Sequence, residues 1–181
     1  MKDLNLEIIQ TERLLLRKIT PEDFNLIFEN YSNIEIKEIL GLKTENEFEN
    51  ERNKYLKGYA THNMSLVFFQ LIERDSNEII GGCGFHNWFP FHRRAELGYS
   101  ISNSSYLNKG LMTEALEVII KYGFSKMDLQ RIEALVAPDN IPSLKLLENF
   151  QFIQEGVLRK HYNVNGNFED SILFSKLFSE Y

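Results

Sequence analysis

The sequence predicts a three-layer α/β or α+β domain built around a mixed sheet, and three observations carry this prediction. Runs of residues typical of strands alternate with amphipathic runs typical of helices along the whole chain. Short turns join some neighbouring strands, which favours antiparallel pairing, whereas helices separate others and permit parallel pairing. The chain has 181 residues, of which 43% are apolar, and it contains no repeat or linker. We therefore expect residues 1–181 to form one domain.

The first elements are a strand and two helices. Apolar residues lie between charges from Leu14 to Ile19, as expected of a strand. Thr20 is a candidate helix N-cap, and Pro21 suits the first turn that follows. A polar segment from Thr44 to about Thr61 carries widely spaced apolar residues and predicts a second helix.

Three strands are predicted next. The run from Leu66 to Ile72 has the length and composition of a buried strand. The polar residues Glu73–Asn77 predict a turn, after which residues Glu78–Phe85 return as a second strand. Another turn, around Pro90, leads to a strand from Arg94 to Ile101.

Helices and strands alternate regularly in the second half. The clearest helix runs from Leu111 to about Met127, with apolar residues on one face and charges on the other. A strand is predicted at Arg131–Val136 and a helix at Ile141–Phe150. Two strands close the chain, near residues 156–162 and 168–178. The total is about seven strands and about four helices.

Composition excludes several classes of protein. The 26 acidic and 20 basic residues give a net charge of −6, which disfavours a nucleic-acid surface. The N-terminus is acidic where a leader would be apolar, and no run approaches the roughly 18 apolar residues of a membrane span. We therefore expect a cytoplasmic protein with neither a membrane nor a nucleic acid as its partner.

Cysteine and histidine usage argues against a metal site. The single cysteine, Cys83, cannot form an internal disulfide or a thiolate cage, and its apolar surroundings predict packing rather than nucleophilic chemistry. The four histidines show no metal-ligand spacing. They are His62, His86, His92 and His161.

Two glycine-containing segments could bind phosphate. Gly82-Cys83-Gly84 resembles part of a dinucleotide fingerprint, but Asn87 stands where the third glycine would fall, and glycines in a twisted hairpin explain it better. Around Gly110, a strand end leads directly into the clearest helix, without the spacing of a Walker A loop. Such a junction offers unpaired backbone N–H groups and the positive end of a helix dipole to an anion.

The segment before that helix, Tyr106-Leu107-Asn108-Lys109-Gly110-Leu111-Met112-Thr113-Glu114-Ala115, also resembles a known motif. It is similar to the acyl-CoA diphosphate loop of the GNAT N-acetyltransferases, in the branch that includes ribosomal-protein N-acetyltransferases. Further segments resemble that branch in the right order along nearly the whole chain. They are Thr11–Arg17, Arg93–Tyr99, Asn140–Phe152 and Glu155–Arg159, with Gly166 and Asp170.

The resemblance implies a GNAT fold, in which the fourth and fifth strands splay apart and acetyl-CoA lies between them as the co-substrate. The chain departs from the family at two positions where glycine is usual: Asn108 in the loop and Gln151 after the last helix. Asparagine tolerates left-handed backbone better than other side chains do. The implied contacts to acetyl-CoA are Ile101 beside the pantetheine, the N–H groups of Asn108, Lys109, Gly110, Leu111 and Met112, and Asn140.

Amide formation needs a neutral amine and hence a proton acceptor. Glu96 matches the glutamate that this branch is thought to use, directly or through water. The alternative is a glutamate paired with Arg93 or Arg94 at a strand edge.

The leaving CoA thiolate benefits from a proton donor. Many relatives have a tyrosine where Leu147 stands, and Ser143 matches the serine of the ribosomal-protein branch. Asn140 and Ser143 would share one face of the first helical turn. The alternative is that both are ordinary caps.

The resemblance implies transfer of acetyl from acetyl-CoA to an amine by direct attack in a ternary complex. The favoured acceptor is a protein N-terminal α-amine, and a small amine such as a polyamine, an antibiotic or an amino-acid derivative is the alternative. A third hypothesis is an acyl-CoA-binding module without catalysis. The aromatic turn Trp88–Phe91 either lines the acceptor pocket or belongs to the core. We expect a monomer or a homodimer.

Overall fold

A computed structural model describes residues 4–61 and 64–181, so His62 lies outside the described residues. Eight strands and five α-helices alternate along this part of the chain. Their bounds are β1 Ile8–Gln10, β2 Leu14–Ile19, α1 Pro21–Asn30, α2 Asn33–Leu40, α3 Glu45–Lys57, β3 Ser65–Glu73, β4 Ile79–Phe89, β5 Arg94–Ile101, α4 Leu111–Ser125, β6 Arg131–Val136, α5 Ile141–Asn149, β7 Ile153–Val164 and β8 Asn167–Leu177.

All eight strands form one sheet, in the order β1-β2-β3-β4-β5-β6-β8-β7. The pairing is antiparallel everywhere except between β5 and β6, which are parallel and are joined by the crossover helix α4. The predicted mixed sheet flanked by helices is confirmed.

The structure has two elements that the sequence analysis does not predict, β1 and α2. The strand β1 is only three residues long and is held by pairing with β2, with Ile9 opposite Leu16. The helix α2 begins after Ser32, whose hydroxyl and the Glu35 carboxylate form a capping box, and ends at Gly41, with φ of 70°. Those end signals stand in the sequence, so α2 could have been predicted.

Helices cover both faces of the sheet. The larger core packs α4 and α5 against one face, through residues such as Leu116 and Leu147, which are fully buried. The smaller core packs α1, α2 and α3 against the other face at the N-terminal strands, with Ile27 and Phe48 inside it. The domain therefore has three layers.

The sheet opens between β5 and β6. Only three residues of each strand pair, and the last pair is Glu96 with Glu133. Beyond this point β5 continues to Ile101 without a neighbour on that side, whereas β6 stays paired with β8. The resulting V-shaped gap is the splay that the family resemblance implies, and Glu96 lies at its vertex.

A bidentate ion pair ties the last hairpin to this sheet and should make its stability acid-sensitive. Arg131 donates to both oxygens of Glu155, at 2.7 Å each, and Ser175 donates to one of them. These bonds, led by the one from Arg131, lower the pKa of Glu155 to about 2. The carboxylate therefore stabilises the fold above its unfolded pKa of about 4.3, and this contribution is lost as the pH falls towards 2.

We expect Glu155→Gln to destabilise the protein more at pH 6 than at pH 2.5. Urea unfolding at both values measures this difference. Glu169→Gln, at an exposed glutamate of the same hairpin, is the control. A cost for Glu155→Gln that does not change with pH would contradict the assignment.

Candidate active site

The turn before α4 has the backbone geometry of an anion site. Asn108 and Gly110 both adopt left-handed backbone, with φ of 58° and 74°, and α4 starts at Leu111. Among the described residues, no hydrogen bond uses the amide N–H groups from Asn108 to Met112. The turn therefore presents a row of unpaired donors at the positive end of a helix dipole.

Residues from the N-terminus brace this turn. Arg13 donates to the carbonyl oxygen of Lys109 at 2.9 Å and to the Glu114 carboxylate at 2.7 Å. Glu114 also accepts hydrogen bonds from the Thr11 hydroxyl and the Arg13 amide. The Arg13 guanidinium thus neutralises the Glu114 carboxylate, and it fixes the turn to the segment that leads into β2.

A cleft of about 400 Å³ opens beside the turn, and we call it the α4 cleft. Its walls come from the end of β5, from the turn and the start of α4, and from the first turn of α5. It brings together every residue that the resemblance assigns to acetyl-CoA, with Ser143. They are Ile101, Asn108, Lys109, Gly110, Leu111, Met112 and Asn140.

The first turn of α5 meets β5 inside this cleft. Asn140 caps the helix, since its side chain accepts a hydrogen bond from the Ser143 amide at 3.2 Å, so the capping interpretation holds for Asn140. The hydroxyl of Tyr99 is buried beside Ser143 without a hydrogen-bond partner at good geometry among the described residues. Burial raises the pKa of Tyr99, and the Ser143 side chain offsets part of that effect. An unpaired buried hydroxyl at this place suits a polar ligand group.

Glu96 lies on the opposite face of β5 from Tyr99 and is 8% exposed. One carboxylate oxygen lies 3.1 Å from Nε2 of His86, and the other accepts a hydrogen bond from the Asn87 side chain at 2.8 Å. Arg93 and Arg94 instead pair with Asp128 and Glu133. The sequence alternative, in which an arginine pairs with Glu96, is therefore wrong.

The surroundings of Glu96 favour its ionised form. Burial raises the pKa of this carboxyl, but the hydrogen bonds from His86 and Asn87, with the charges of His86 and His161, lower it further, so the net shift is downward. Tyr162 on β7 lies close enough that the Glu96 charge adds to burial in raising its pKa. The last hairpin thus borders the vertex of the splay.

A second concavity, the glycine groove, lies on the Glu96 face of the sheet. It measures about 250 Å³, and His86, Gly98 and Phe68 are among its lining residues. Its floor is bare backbone at Gly82, Gly84 and Gly98, which neighbour one another across β4 and β5. An adjoining aromatic pocket of about 300 Å³ shares Leu66 and Phe68 with it and is also lined by Phe24, Leu40, Tyr59 and Glu51.

The remaining sequence candidates lie elsewhere. Trp88 packs against the larger core, whereas Phe91 is 94% exposed, so the aromatic turn divides between core and surface. Cys83 is buried, and burial raises the pKa of its thiol far above the usual range, as a packing role requires.

Neither a metal cluster nor a membrane helix is found in the described part of the chain. Residues 4–61 and 64–181 hold no group of three or more His, Cys, Asp or Glu side chains placed to bind a metal. Within the same ranges, no helix has both the length and the apolar composition of a membrane span.

Sequence reasoning missed Arg13, His86, Asn87 and Tyr99 as site residues. His86 and Glu96 are ten positions apart and meet only through the β4–β5 register. Asn87 reaches Glu96 because the strand bulges there and Asn87 adopts a φ of 45°. No local pattern marks these residues, but the alternation of an antiparallel hairpin places position 86 and position 96 on one face once the register is known.

Comparison with known proteins agrees with this architecture. The model of the acetyltransferase (GNAT) domain matches residues 13–153. The uncharacterized N-acetyltransferase p20 of Bacillus licheniformis is 34% identical over 97% of this chain and 99% of its own. A GNAT-family acetyltransferase structure from Bacillus anthracis has a TM-score of 0.66 at 30% identity, covering 94% of this chain and 98% of that chain.

A ribosomal-protein-S5-alanine acetyltransferase from Vibrio fischeri is also similar. Its structure has a TM-score of 0.70 at 27% identity, covering 94% of this chain and 96% of that chain. GNAT acetyltransferases use acetyl-CoA. The unpaired amides before α4 suit its diphosphate, and the unpaired hydroxyl of Tyr99 suits its polar pantetheine arm. The domain match, the full-length relative and the splayed sheet lead to one conclusion: the chain belongs to the GNAT family of N-acetyltransferases.

Proposed function

We propose that this N-acetyltransferase moves acetyl from acetyl-CoA to the N-terminal α-amine of a protein, by direct attack in a ternary complex. The observation that carries the proposal is the place of Glu96, at the vertex of the splay, with the α4 cleft beyond one end of the gap and the glycine groove on the Glu96 face. A donor entering from the cleft and an amine entering from the groove would meet beside this carboxylate.

In the α4 cleft, the amides of Asn108 to Met112 would bind the diphosphate, and the free edge of β5 up to Ile101 would pair with the pantetheine arm. From Ile101 to Glu96 the strand spans about 17 Å, at about 3.3 Å per residue. Asn140 and Ser143 would line the path of the arm, with Ser143 placed to give a proton to the leaving thiolate. The Glu96 carboxylate would drive removal of the amine proton, directly, through water or through a neighbouring side chain.

The choice of an N-terminal α-amine rests on the groove and on the relatives. A floor of bare glycine backbone leaves room for an extended peptide, and the aromatic pocket beside it would take an apolar side chain. The similar Vibrio fischeri protein is described as acting on an alanine of ribosomal protein S5.

An acceptor panel with detection of the CoA thiol tests the proposal. We expect release of CoA with alanine-initiated and serine-initiated peptides, and none with the same peptides blocked at the N-terminus. Turnover with spermidine but with none of the peptides would contradict the α-amine proposal and favour a small amine as the acceptor. Acetyl-CoA binding without thiol release for any amine would support the non-catalytic binding module instead.

A further inference from the structure

His86 holds a position between Glu96 and the glycine groove. It lies opposite Glu96 in the β4–β5 register, and its Nε2 atom is 3.1 Å from the carboxylate. The His86 side chain is 47% exposed, whereas that of Glu96 is 11% exposed. His86 lines the groove and Glu96 does not. An amine in the groove would therefore meet the imidazole before the carboxylate.

The ring of His86 lies across Gly98. A Cβ atom built on Gly98 would be 3.0 Å from Cε1 and 3.1 Å from Nδ1 of the imidazole, which is tighter than an ordinary contact. Glycine at position 98 thus leaves space for the ring on the groove floor. The Nδ1 atom has no hydrogen-bond partner among the described residues.

Both oxygens of Glu96 are engaged, one by His86 and the other by Asn87. A carboxylate held in this way keeps its charge and is a poor proton acceptor. It also fixes the histidine tautomer, because an anion at Nε2 holds the ring proton there and leaves a lone pair on Nδ1, which lies beside Gly98 of the groove floor.

We propose that His86 is the group that takes the proton from the acceptor ammonium, with Glu96 as its positioning partner. The proposal rests on the proposed function and specifies which side chain takes the proton from the acceptor. Nδ1 removes one proton from the ammonium, and the half-exposed ring passes it to water. The neutral nitrogen forms a bond to the acetyl carbon, the carbon–sulfur bond breaks, and the second nitrogen proton reaches the CoA sulfur directly or by way of Ser143, which gives its own proton to the sulfur and takes the nitrogen proton in return.

Other charged or titratable groups lie near His86 and Glu96, but none takes the role of either residue. On β6, Glu133 lies opposite Glu96 but is bound by Arg94 and Arg131. On β7, Tyr162 and His161 lie close enough to Glu96 to interact with it electrostatically, and the His161 ring also contacts the Ser171 hydroxyl at 3.3 Å. The strand β3 contributes only uncharged side chains to the groove, those of Leu66, Val67 and Phe68.

Variants at two histidines test the proposal. His86→Gln and His86→Ala should lower kcat/KM for an alanine-initiated peptide about 10²-fold, within the range of general base catalysis, while the Kd for acetyl-CoA stays unchanged. Added imidazole should restore part of the His86→Ala rate. His92→Gln, at an exposed histidine outside the groove, should behave as the wild type. Wild-type kcat/KM in both His86 variants would overturn the proposal.

A second measurement does not depend on turnover. Ring ¹⁵N shifts of the free protein should show His86 protonated at Nε2 and unprotonated at Nδ1 near pH 8, with this preference weakened in Glu96→Gln. A proton on Nδ1 of the resting protein would overturn the proposal. If the wild type turns over and His86 proves dispensable, this inference fails alone; if the wild type releases no CoA with any amine, the proposed function fails.

Discussion

Glu96→Gln is expected to lower kcat/KM for the acceptor amine by about 10²-fold or more, with little change in the Kd for acetyl-CoA. Glutamine keeps the size of the side chain but removes the negative charge that the site stabilises through His86 and Asn87. Without that charge, no carboxylate remains to drive proton removal, and the imidazole loses the anion that holds its tautomer. Thiol-release kinetics and calorimetric titration with acetyl-CoA measure the two quantities separately.

Ser143→Ala is the comparison variant for this measurement, because Ser143 lies in the α4 cleft rather than at the vertex. We expect a smaller loss than for Glu96→Gln, since water can also protonate the thiolate and a thiolate is a stable leaving group. Equal rates for Glu96→Gln and the wild type across the pH range would remove Glu96 from the reaction.

Asn108→Asp is expected to weaken acetyl-CoA binding about 10²-fold. The substitution keeps the shape of the side chain and its tolerance of left-handed backbone, but it places a negative charge at the turn that should hold the diphosphate. A penalty of about 2.8 kcal/mol corresponds to this change. It lies within the range expected for like charges a few ångströms apart near a protein surface.

Three controls separate charge from shape at this position. Asn108→Gly should bind acetyl-CoA at least as tightly as the wild type, because glycine adopts the φ of 58° without strain. The defect of Asn108→Asp should shrink in 1 M salt, where charges are screened within about 3 Å. S-acetylpantetheine, which lacks the diphosphate, should show no difference between the two proteins. Wild-type affinity of Asn108→Asp for acetyl-CoA at low salt would contradict the assignment of the turn.

The features that sequence predicts here are those encoded locally. The strand β5 and the start of α4 follow from composition and from the motif, and asparagine at position 108 tolerates the left-handed backbone found there. The helix α2 has recognisable start and end signals in the sequence, at Ser32 and Gly41. The strand β1 is instead defined by its pairing with β2, and its three residues carry no strand signal of their own.

The contacts that complete the site are instead products of folding. Arg13 and Glu114 are 101 positions apart and are brought together by the packing of α4 against β2. The orientation of His86 across Gly98 depends on strand register and on the bulge at Asn87. A sequence motif predicted the carboxylate, but only the fold shows that His86 and Asn87 contact it.

A crystal structure of the protein with acetyl-CoA tests the central claim most directly. We expect the diphosphate oxygens within hydrogen-bonding distance of the amides between Asn108 and Met112, and the acetyl group at the vertex of the splay beside Glu96 and His86. A diphosphate bound elsewhere, or a turn closed by the Asn108 side chain while the nucleotide occupies another surface, would contradict it.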